Sequence, residues 1–430
     1  MEKQNFESML EAFTLGTDCL KEIARNFQED LEAGLENPQN SSLRMLKSYV
    51  GLPDSKEKGE FLALDFGGTN VRVLRIRLEG DGKYTVVKKV AKPLVFPGLY
   101  DFIGAEASAE DLFDFIAGLA AEAIEDDPEV NYLLGHTFSF PSEQTDLYNA
   151  RLIVWTKEFA TQGVAGEIVN DLLRAALVRN DLSNIQPVAV INDTVAVLLA
   201  AAYKNPATYI GSIYATGHNT CYLEPAAVDS KPMILNLESG GFSKLQTNSY
   251  DQILDQASER PGEQCLEKMV SGRYMGELFS LCFKEQFPDV PQASFTSIDL
   301  SAILEDQDLA GTATIGLIES RTGHKISAGQ CERVKQMASV IVKRSARLVA
   351  ATYAGILLHL DGQQMKPQQV AVDGSVYEKV PGAAKEIRLA LQEILGTSAK
   401  NVEFVLENGG SGLGAAIAAA VAPAICGQKE

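Results

Sequence analysis

Three glycine-rich turns mark where this chain can meet an anion. The first, Asp65-Phe66-Gly67-Gly68-Thr69-Asn70, stands between the apolar run Phe61-Leu62-Ala63-Leu64 and the run Val71-Arg72-Val73-Leu74. Paired glycines let the backbone approach a ligand closely and turn successive N–H groups into one concavity, which suits phosphate oxygens. Thr69 and Asn70 add side-chain donors, and Arg72 adds a fixed positive charge. A carboxylate at Asp65 repels phosphate unless a cation lies between them, which points to Mg²⁺ held through water. A plain hairpin turn uses the same residue types, so this turn alone leaves both readings open. It is not a P-loop: no G-x-x-x-x-G-K-[ST] occurs, and a strand rather than a helix follows.

The second turn, Ala215-Thr216-Gly217-His218-Asn219, repeats that chemistry between two further strand-like runs. A matched pair of strand–turn–strand elements can clamp a polyphosphate from two sides. The third, Gly409-Gly410-Ser411-Gly412-Leu413-Gly414-Ala415, fits G-x-G-x-x-A at Gly410, Gly412 and Ala415. Its context does not fit a dinucleotide fold, because no strand carrying a ribose-binding acid follows it. That leaves a helix N-terminus presented to a nucleotide, or capping by Ser411.

Asn192-Asp193-Thr194 closes the buried run Val188-Ala189-Val190-Ile191 and opens a helical one. Ligands of α/β sheets sit at the C-terminal ends of strands, and a carboxylate there can take a hydroxyl proton during phosphoryl transfer. Asp193 can equally be a helix N-cap. Lys157, in Trp155-Thr156-Lys157-Glu158-Phe159, is either a solvated surface lysine or a cation of the same cleft. The four histidines (His136, His218, His324, His359) have no metal-ligand spacing, so packing or surface roles are expected.

These residues need a scaffold of alternating elements. Strand patterns cover 60–66, 71–78, 84–91, 132–140 and 188–191, with helical patterns near 108–125 and 166–179. Beyond Asp193 the pattern begins again: strands near 209–215 and 220–224, helices near 263–284 and 328–356, a strand at 368–372, a helix near 380–395, a strand at 402–406 and a last helix from 412. Two such blocks predict two α/β lobes mixing hairpins with crossovers. Residues 1–50 read as helical. Phe6, Met9, Leu10, Phe13, Leu20, Ile23, Phe27 and Leu31 form an apolar stripe whose opposite face is acidic, so it should pack on a core rather than a membrane. Gly51 to Gly59 reads as a linker.

With 430 residues, more than one lobe is the default. The charge, 38 basic minus 57 acidic residues or −19, repels the phosphates of nucleic acid and anionic lipid. Neither nucleic-acid binding nor membrane insertion is expected, and no run of ~18 apolar residues occurs. Cys19, Cys221, Cys265, Cys282, Cys331 and Cys426 are scattered without C-x-x-C spacing. Met1-Glu2-Lys3-Gln4-Asn5 lacks signal-peptide character, so the expectation is a cytoplasmic protein with reduced thiols.

Taken in order, these segments resemble the hexokinase family of sugar kinases from about residue 45 to the final helix. The stretches that carry the resemblance are Leu62 to Val73, Leu134 to Gln144, Trp155 to Phe159, Val190 to Val195, Thr216 to Glu224, Pro261 to Leu278, Val372 to Tyr377 and Ser411 to Ala416. The resemblance implies an α/β, two-lobed sugar kinase/heat-shock protein/actin-like fold with mixed sheets and a cleft between the lobes. It implies an N-terminal helical segment, 1–52, on the large lobe, a small lobe at 59–190 to which helix 411–430 returns, and a large lobe at 193–410. The implied activity is transfer of the γ-phosphate of ATP, with Mg²⁺, to the 6-hydroxyl of glucose or a related hexose.

Carried across residue by residue, Asp65, Gly67, Gly68, Thr69, Asn70 and Arg72 match the family's first phosphate loop, and Thr216 and Gly217 the second. Gly272, Arg273, Ser375 and Ser411 fall at further nucleotide positions. Ser139, Thr156, Lys157, Asn192, Asp193, Asn219, Glu238 and Glu267 match the hexose contacts, with Asp193 as general base and Arg72 and Lys157 as cations for the moving phosphate. Departures from the pattern are His136 for phenylalanine, Glu158 for glycine, Ser239 for tryptophan, Ala215 for glycine and Glu378 for lysine. A sugar-binding sensor without turnover is disfavoured by the retained Asp193, Lys157 and phosphate loops. An actin-like ATPase is disfavoured by Ser139, Asn192 and Glu267.

Overall fold

The computed structural model describes residues 2–66, 68, 70–156, 158–228 and 231–426. Gly67, Thr69 and Lys157 of the expected site lie outside the described residues.

The chain opens with α1 (Glu2–Ala12) and α2 (Thr17–Glu36). The apolar stripe of α2 is buried, with Leu20, Phe27 and Leu31 at 0% exposure, against the long helix described below as α11. Helix does not continue to residue 50 as the periodicity predicts. It stops before Pro38, which lacks the N–H a continuing helix needs, and an extended segment with β1 (Leu46–Lys47) follows.

Next come the meander β2 (Lys58–Phe66), β3 (Asn70–Gly80) and β4 (Lys83–Pro93), then the short hairpin β5 (Val95–Phe96) and β6 (Tyr100–Asp101). Helix α3 (Ala109–Ile124) starts at a reciprocal capping box between Ser108 and Asp111. After it lie β7 (Tyr132–Phe138), the pair β8 (Ser142–Glu143) and β9 (Arg151–Leu152), α4 (Val169–Arg179), β10 (Ile185–Ile191) and α5 (Asp193–Lys204). Five strands make one mixed sheet, ordered β10-β7-β2-β3-β4, with β2, β7 and β10 parallel.

The second block contains β11 (Thr208–Tyr214), β12 (His218–Val228), β13 (Lys231–Asn236), α6 (Ser249–Ala257), α7 (Cys265–Val270) and α8 (Gly272–Gln286). Then follow α9 (Ser297–Glu305), α10 (Thr312–Thr322), α11 (Ala328–Asp361), β14 (Gln368–Asp373), α12 (Ser375–Lys379), α13 (Ala383–Leu395), β15 (Val402–Leu406) and α14 (Gly410–Cys426). The second sheet is ordered β1-β13-β12-β11-β14-β15. The single helix predicted near 263–284 is two, broken at Ser271, while that near 380–395 is α13, with the short α12 before it.

Helix α5 joins the two sheets. It packs on β11 on one side and on α14 on the other, and α14 in turn lies on β2, β7 and β10. The α5–α14 crossing is close because Gly414 faces Ala196: a Cβ there would stand 2.2 Å from the Ala196 carbonyl oxygen. The N-terminus of α5 is thereby placed where the strand ends of both sheets meet.

Candidate active site

The first turn links β2 to β3. Register places Asp65 opposite Arg72, and their side chains form an ion pair of 2.8 Å. Arg72 remains 42% exposed and Asp65 18%. The guanidinium is thus held beside the turn by the acid expected to face a cation. Gly68 is open, with no atom within 4 Å of where a Cβ would be. Among the described residues no group of three or more His, Cys, Asp or Glu side chains is arranged to hold a metal. A strand-end carboxylate beside a phosphate-type turn suits the way Mg²⁺ binds, through one or two carboxylates plus substrate phosphates and water.

The capping question at the start of α5 is resolved one residue upstream. Asn192 is the N-cap: its Oδ1 accepts from the Thr194 amide at 3.0 Å and the Thr194 hydroxyl at 2.7 Å. Asp193 is the first helical residue. Its amide donates to Ser139 Oγ at 3.2 Å, tying α5 to the segment after β7, and its Oδ1 accepts from the Thr194 amide at 2.8 Å. The amide group of Asn192 and the second carboxylate oxygen of Asp193 have no partner among the described residues.

A polar wall stands opposite. Asn219 Nδ2 donates to Asn236 Oδ1 at 2.9 Å and to Glu238 Oε1 at 3.0 Å, while its Oδ1 accepts from the amides of Thr220 and Ser239. Asn219 is therefore saturated within the protein and acts on Glu238. Asn236 donates to the same Glu238 oxygen at 2.8 Å, and Oε2 has no hydrogen-bond partner among the described residues. Glu238 sits in the left-handed region at φ 52. Burial and the charge of Asp193 raise its pKa, against the opposing pull of the two amides. Thr194 Oγ1 lies 3.4 Å from Asn236 Oδ1, which brings this wall to the foot of α5. Glu267, in the first turn of α7, overhangs the second glycine turn: a Cβ at Gly217 would be 2.9 Å from its Oε1.

Thr156 lies on the loop after β9, in a turn closed by the Phe159 amide on the Thr156 carbonyl at 3.3 Å. Trp155 and Phe159 flank that turn and stack at 5.0 Å, and the Trp155 indole donates to the Thr161 carbonyl. Beneath them Phe66 and Phe140 complete an aromatic cluster that fixes the loop.

The second turn is fastened by its carbonyls. Those of Ala215 and Thr216 accept from the Gly272 and Arg273 amides of α8 at 2.8 and 3.2 Å, and that of Gly217 accepts from Ala215 at 3.0 Å. Thr216 is exposed, and its amide and that of Gly217 are not spent on the protein among the described residues. Arg273 contributes its backbone here; its guanidinium pairs instead with Glu259 and Glu277 at 3.0 and 3.2 Å. Ser375 opens α12, exposed, immediately after β14. Helix α14 begins at Gly410, so Ser411 is its second residue and not its cap; its carbonyl accepts from Thr137 Oγ1 at 2.9 Å.

Two residues of this region escape sequence reasoning. Asn236 matters only because β13 pairs with β12, a strand not anticipated in Lys231-Pro232-Met233-Ile234-Leu235-Asn236. Asp373 ends β14 just before Gly374, the same acid-before-glycine pattern as Asp65, and that pattern could have flagged it. Burial, reinforced by Glu407, Asp193 and Glu378, pushes its carboxyl up to about 6.

Two mixed sheets joined by a helix that starts at a strand-end carboxylate make an α/β sugar-kinase fold. Residues 5–203 and 209–421 match two family models, each described as Hexokinase, and the chain belongs to the hexokinase family. It is 34% identical over 458 residues to hexokinase-2 of Rattus norvegicus, covering 99% of this chain and 49% of the rat protein. It is 35% identical over 440 residues to hexokinase-1 of Oryza sativa subsp. japonica, covering 93% and 87%. The chain thus spans about half the length of the mammalian relatives it matches. A solved hexokinase structure superposes with a TM-score of 0.90 at 34% identity, covering 98% of this chain and 99% of the other. The hexokinase of Schistosoma mansoni complexed with glucose gives 0.82 at 31% identity, with the same coverage.

Proposed function

We propose that this chain is an ATP-dependent hexokinase that transfers the γ-phosphate of ATP to the 6-hydroxyl of glucose or a related hexose. The observation that carries this reading is what the described residues leave unpaired: the Asn192 amide group and one oxygen each of Asp193 and Glu238. A sugar presents hydroxyls that both donate and accept, and such a mixed set answers them. Ser139, Thr156, Asn219, Glu267 and Lys157 complete the hexose site in this reading. Asn219 acts by orienting Glu238.

Asp193 accepts the proton of the 6-hydroxyl as that oxygen attacks phosphorus. Arg72 and Lys157 face the transferring phosphate. Gly67, Gly68, Thr69 and Asn70 approach the polyphosphate from the five-stranded sheet, and Thr216 and Gly217 from the six-stranded one. Gly272, Arg273, Ser375 and Ser411 line the nucleoside end. Asp65 would hold Mg²⁺ through water, and the ion would supply charge neutralisation for the phosphates. The two sheets serve as lobes, 59–190 with 411–430 and 193–410, with 1–52 on the larger. Their closure over a bound hexose excludes water as a competing acceptor.

Among the described residues no helix is long and apolar enough to cross a membrane. A cytoplasmic, glycolytic role with hexose and MgATP as partners follows from the proposed activity. Turnover of Mg²⁺-ATP with a panel of hexoses, detecting ADP and hexose 6-phosphate separately, tests the reading. Sugar-dependent formation of both is expected. ADP without sugar phosphate means an ATPase, and binding of sugar without either product means a sensor.

A further inference from the structure

His218 does more than fill space. It is the first residue of β12, opposite Tyr214 across the second turn, and is 4% exposed. Its ring meets Tyr214 edge-on, with centroids 6.1 Å apart. Nδ1 lies 3.1 Å from the Ile213 carbonyl oxygen. A carbonyl can only accept, so Nδ1 carries the proton and the neutral ring is the Nδ1–H tautomer. Burial pushes the pKa down to about 4, which keeps that neutral form at physiological pH. Nε2 is buried without a partner among the described residues.

The turn is fastened to α8 through the Ala215 and Thr216 carbonyls, as described above. Those bonds hold its tip from one side. The base of the turn, where β11 passes into β12, is held across by the His218–Ile213 bond. We propose that His218 is a positioning residue for the nucleotide: its Nδ1–H latches the base of the second turn so that the Thr216 and Gly217 amides face the polyphosphate. This rests on the reading of that turn as a phosphate site.

Two substitutions separate a latch from a filler. His218→Phe keeps the bulk and loses the donor. His218→Asn loses the bulk but offers an amide N–H at the same remove from the backbone as Nδ1. Binding of the Mg²⁺ complex of the non-hydrolysable analogue AMPPNP is measured by calorimetry on the full chain, beside steady-state kinetics. We expect His218→Phe to weaken analogue binding and raise KM for ATP about tenfold, the worth of one hydrogen bond. KM for glucose should stay within about twofold, and His218→Asn within about threefold of wild type for the nucleotide, on the same scale.

Normal analogue binding by His218→Phe, or equal loss in His218→Asn, overturns the latch while wild-type turnover leaves the hexokinase reading standing. A wild-type chain that binds no analogue overturns both. The ring tautomer, read by ¹⁵N NMR of the wild-type protein, tests the same point without a variant: an Nε2–H ring rules the latch out.

Discussion

Beside the first glycine turn, nothing lies within 4 Å of a Cβ built on Gly68, and Asp65 pairs with Arg72. The second is packed more closely. Two α8 amides hold its carbonyls, His218 spans its base, Glu267 lies over Gly217, and Gly374 passes beneath with φ 133. A Cβ on Gly374 would stand 2.4 Å from the Tyr214 carbonyl oxygen. One strand–turn–strand plan is therefore built once as an open lip and once as a rigid cradle. Rigidity at the cradle spares the entropy of ordering it on binding. In the proposed reaction both turns serve one acceptor site, at Asp193.

The largest effect is expected at that meeting point. Asp193→Asn keeps the shape and the Ser139 contact, which uses the backbone amide, but removes the proposed base. Turnover should fall by about 10²–10⁴-fold or more, with the thermal midpoint nearly unchanged and glucose binding retained. Near-normal turnover by the folded variant would remove Asp193 from the mechanism and leave the two turns without a common target.

The contrast between lip and cradle is broken most directly by adding one methyl group to each. Gly374→Ala meets backbone at 2.4 Å and a φ that L-residues avoid, so a loss of about 2–4 kcal/mol in denaturant unfolding is expected. Gly68→Ala meets nothing, and its φ is not in the left-handed range, so stability should move by less than about 0.5 kcal/mol. If the lip is a phosphate site, the same methyl obstructs close approach, and KM for ATP rises although the fold is untouched. Equal stability losses in the two variants would show that the confinement contrast is not real.

What was legible in the sequence follows the range of the interactions involved. Both glycine turns and the strand-end acid at Asp193 are local patterns, so they stand out in a single stretch. The identity of the cap was not legible, because Asn192 and Asp193 are both good caps and one residue of register decides between them. Asn236 was illegible because its role depends on the β12–β13 pairing, which places it opposite Cys221 and against Asn219. Helices α9 and α10 were missed because their apolar faces are weak: three residues of each are buried. The N-terminal stripe was readable to Leu31, yet Pro38 ended a helix whose pattern had been extended past it.

The core beneath the lip offers a smaller test. His136 is wholly buried beside Phe66, whose ring centroid lies 6.1 Å away, and neither ring nitrogen has a hydrogen-bond partner among the described residues. Asn170 is near enough to favour the charged ring slightly, but its own Oδ1 is also unpartnered. Burial pushes the imidazole down to about 3, so the folded chain holds it neutral while the unfolded chain protonates near 6.5. Between those values the unfolded state binds more protons, and stability falls as pH falls, by up to about 1.4 kcal/mol per pH unit. His136→Phe should remove that slope and add about 1–3 kcal/mol at neutral pH, by relieving unpaired buried nitrogens. An unchanged slope in pH-dependent unfolding would mean the ring is paired after all.

The least effect is expected at Glu158, on the loop that carries Thr156. Its φ of 69 places a side chain where glycine is the natural occupant, and its carboxylate is exposed with no partner among the described residues. Left-handed backbone costs an ordinary residue about 1–2 kcal/mol, of which glycine returns part through the larger entropy of its unfolded chain. Glu158→Gly should therefore stabilise by about 0.5–1 kcal/mol, read as a shift in urea midpoint at constant slope. The functional consequence separates two origins of the strain. Relief of backbone strain alone leaves KM for glucose where it was. A carboxylate that opposes ligands at the loop makes Glu158→Gln lower that KM without any gain in stability, since glutamine keeps the left-handed cost and loses the charge.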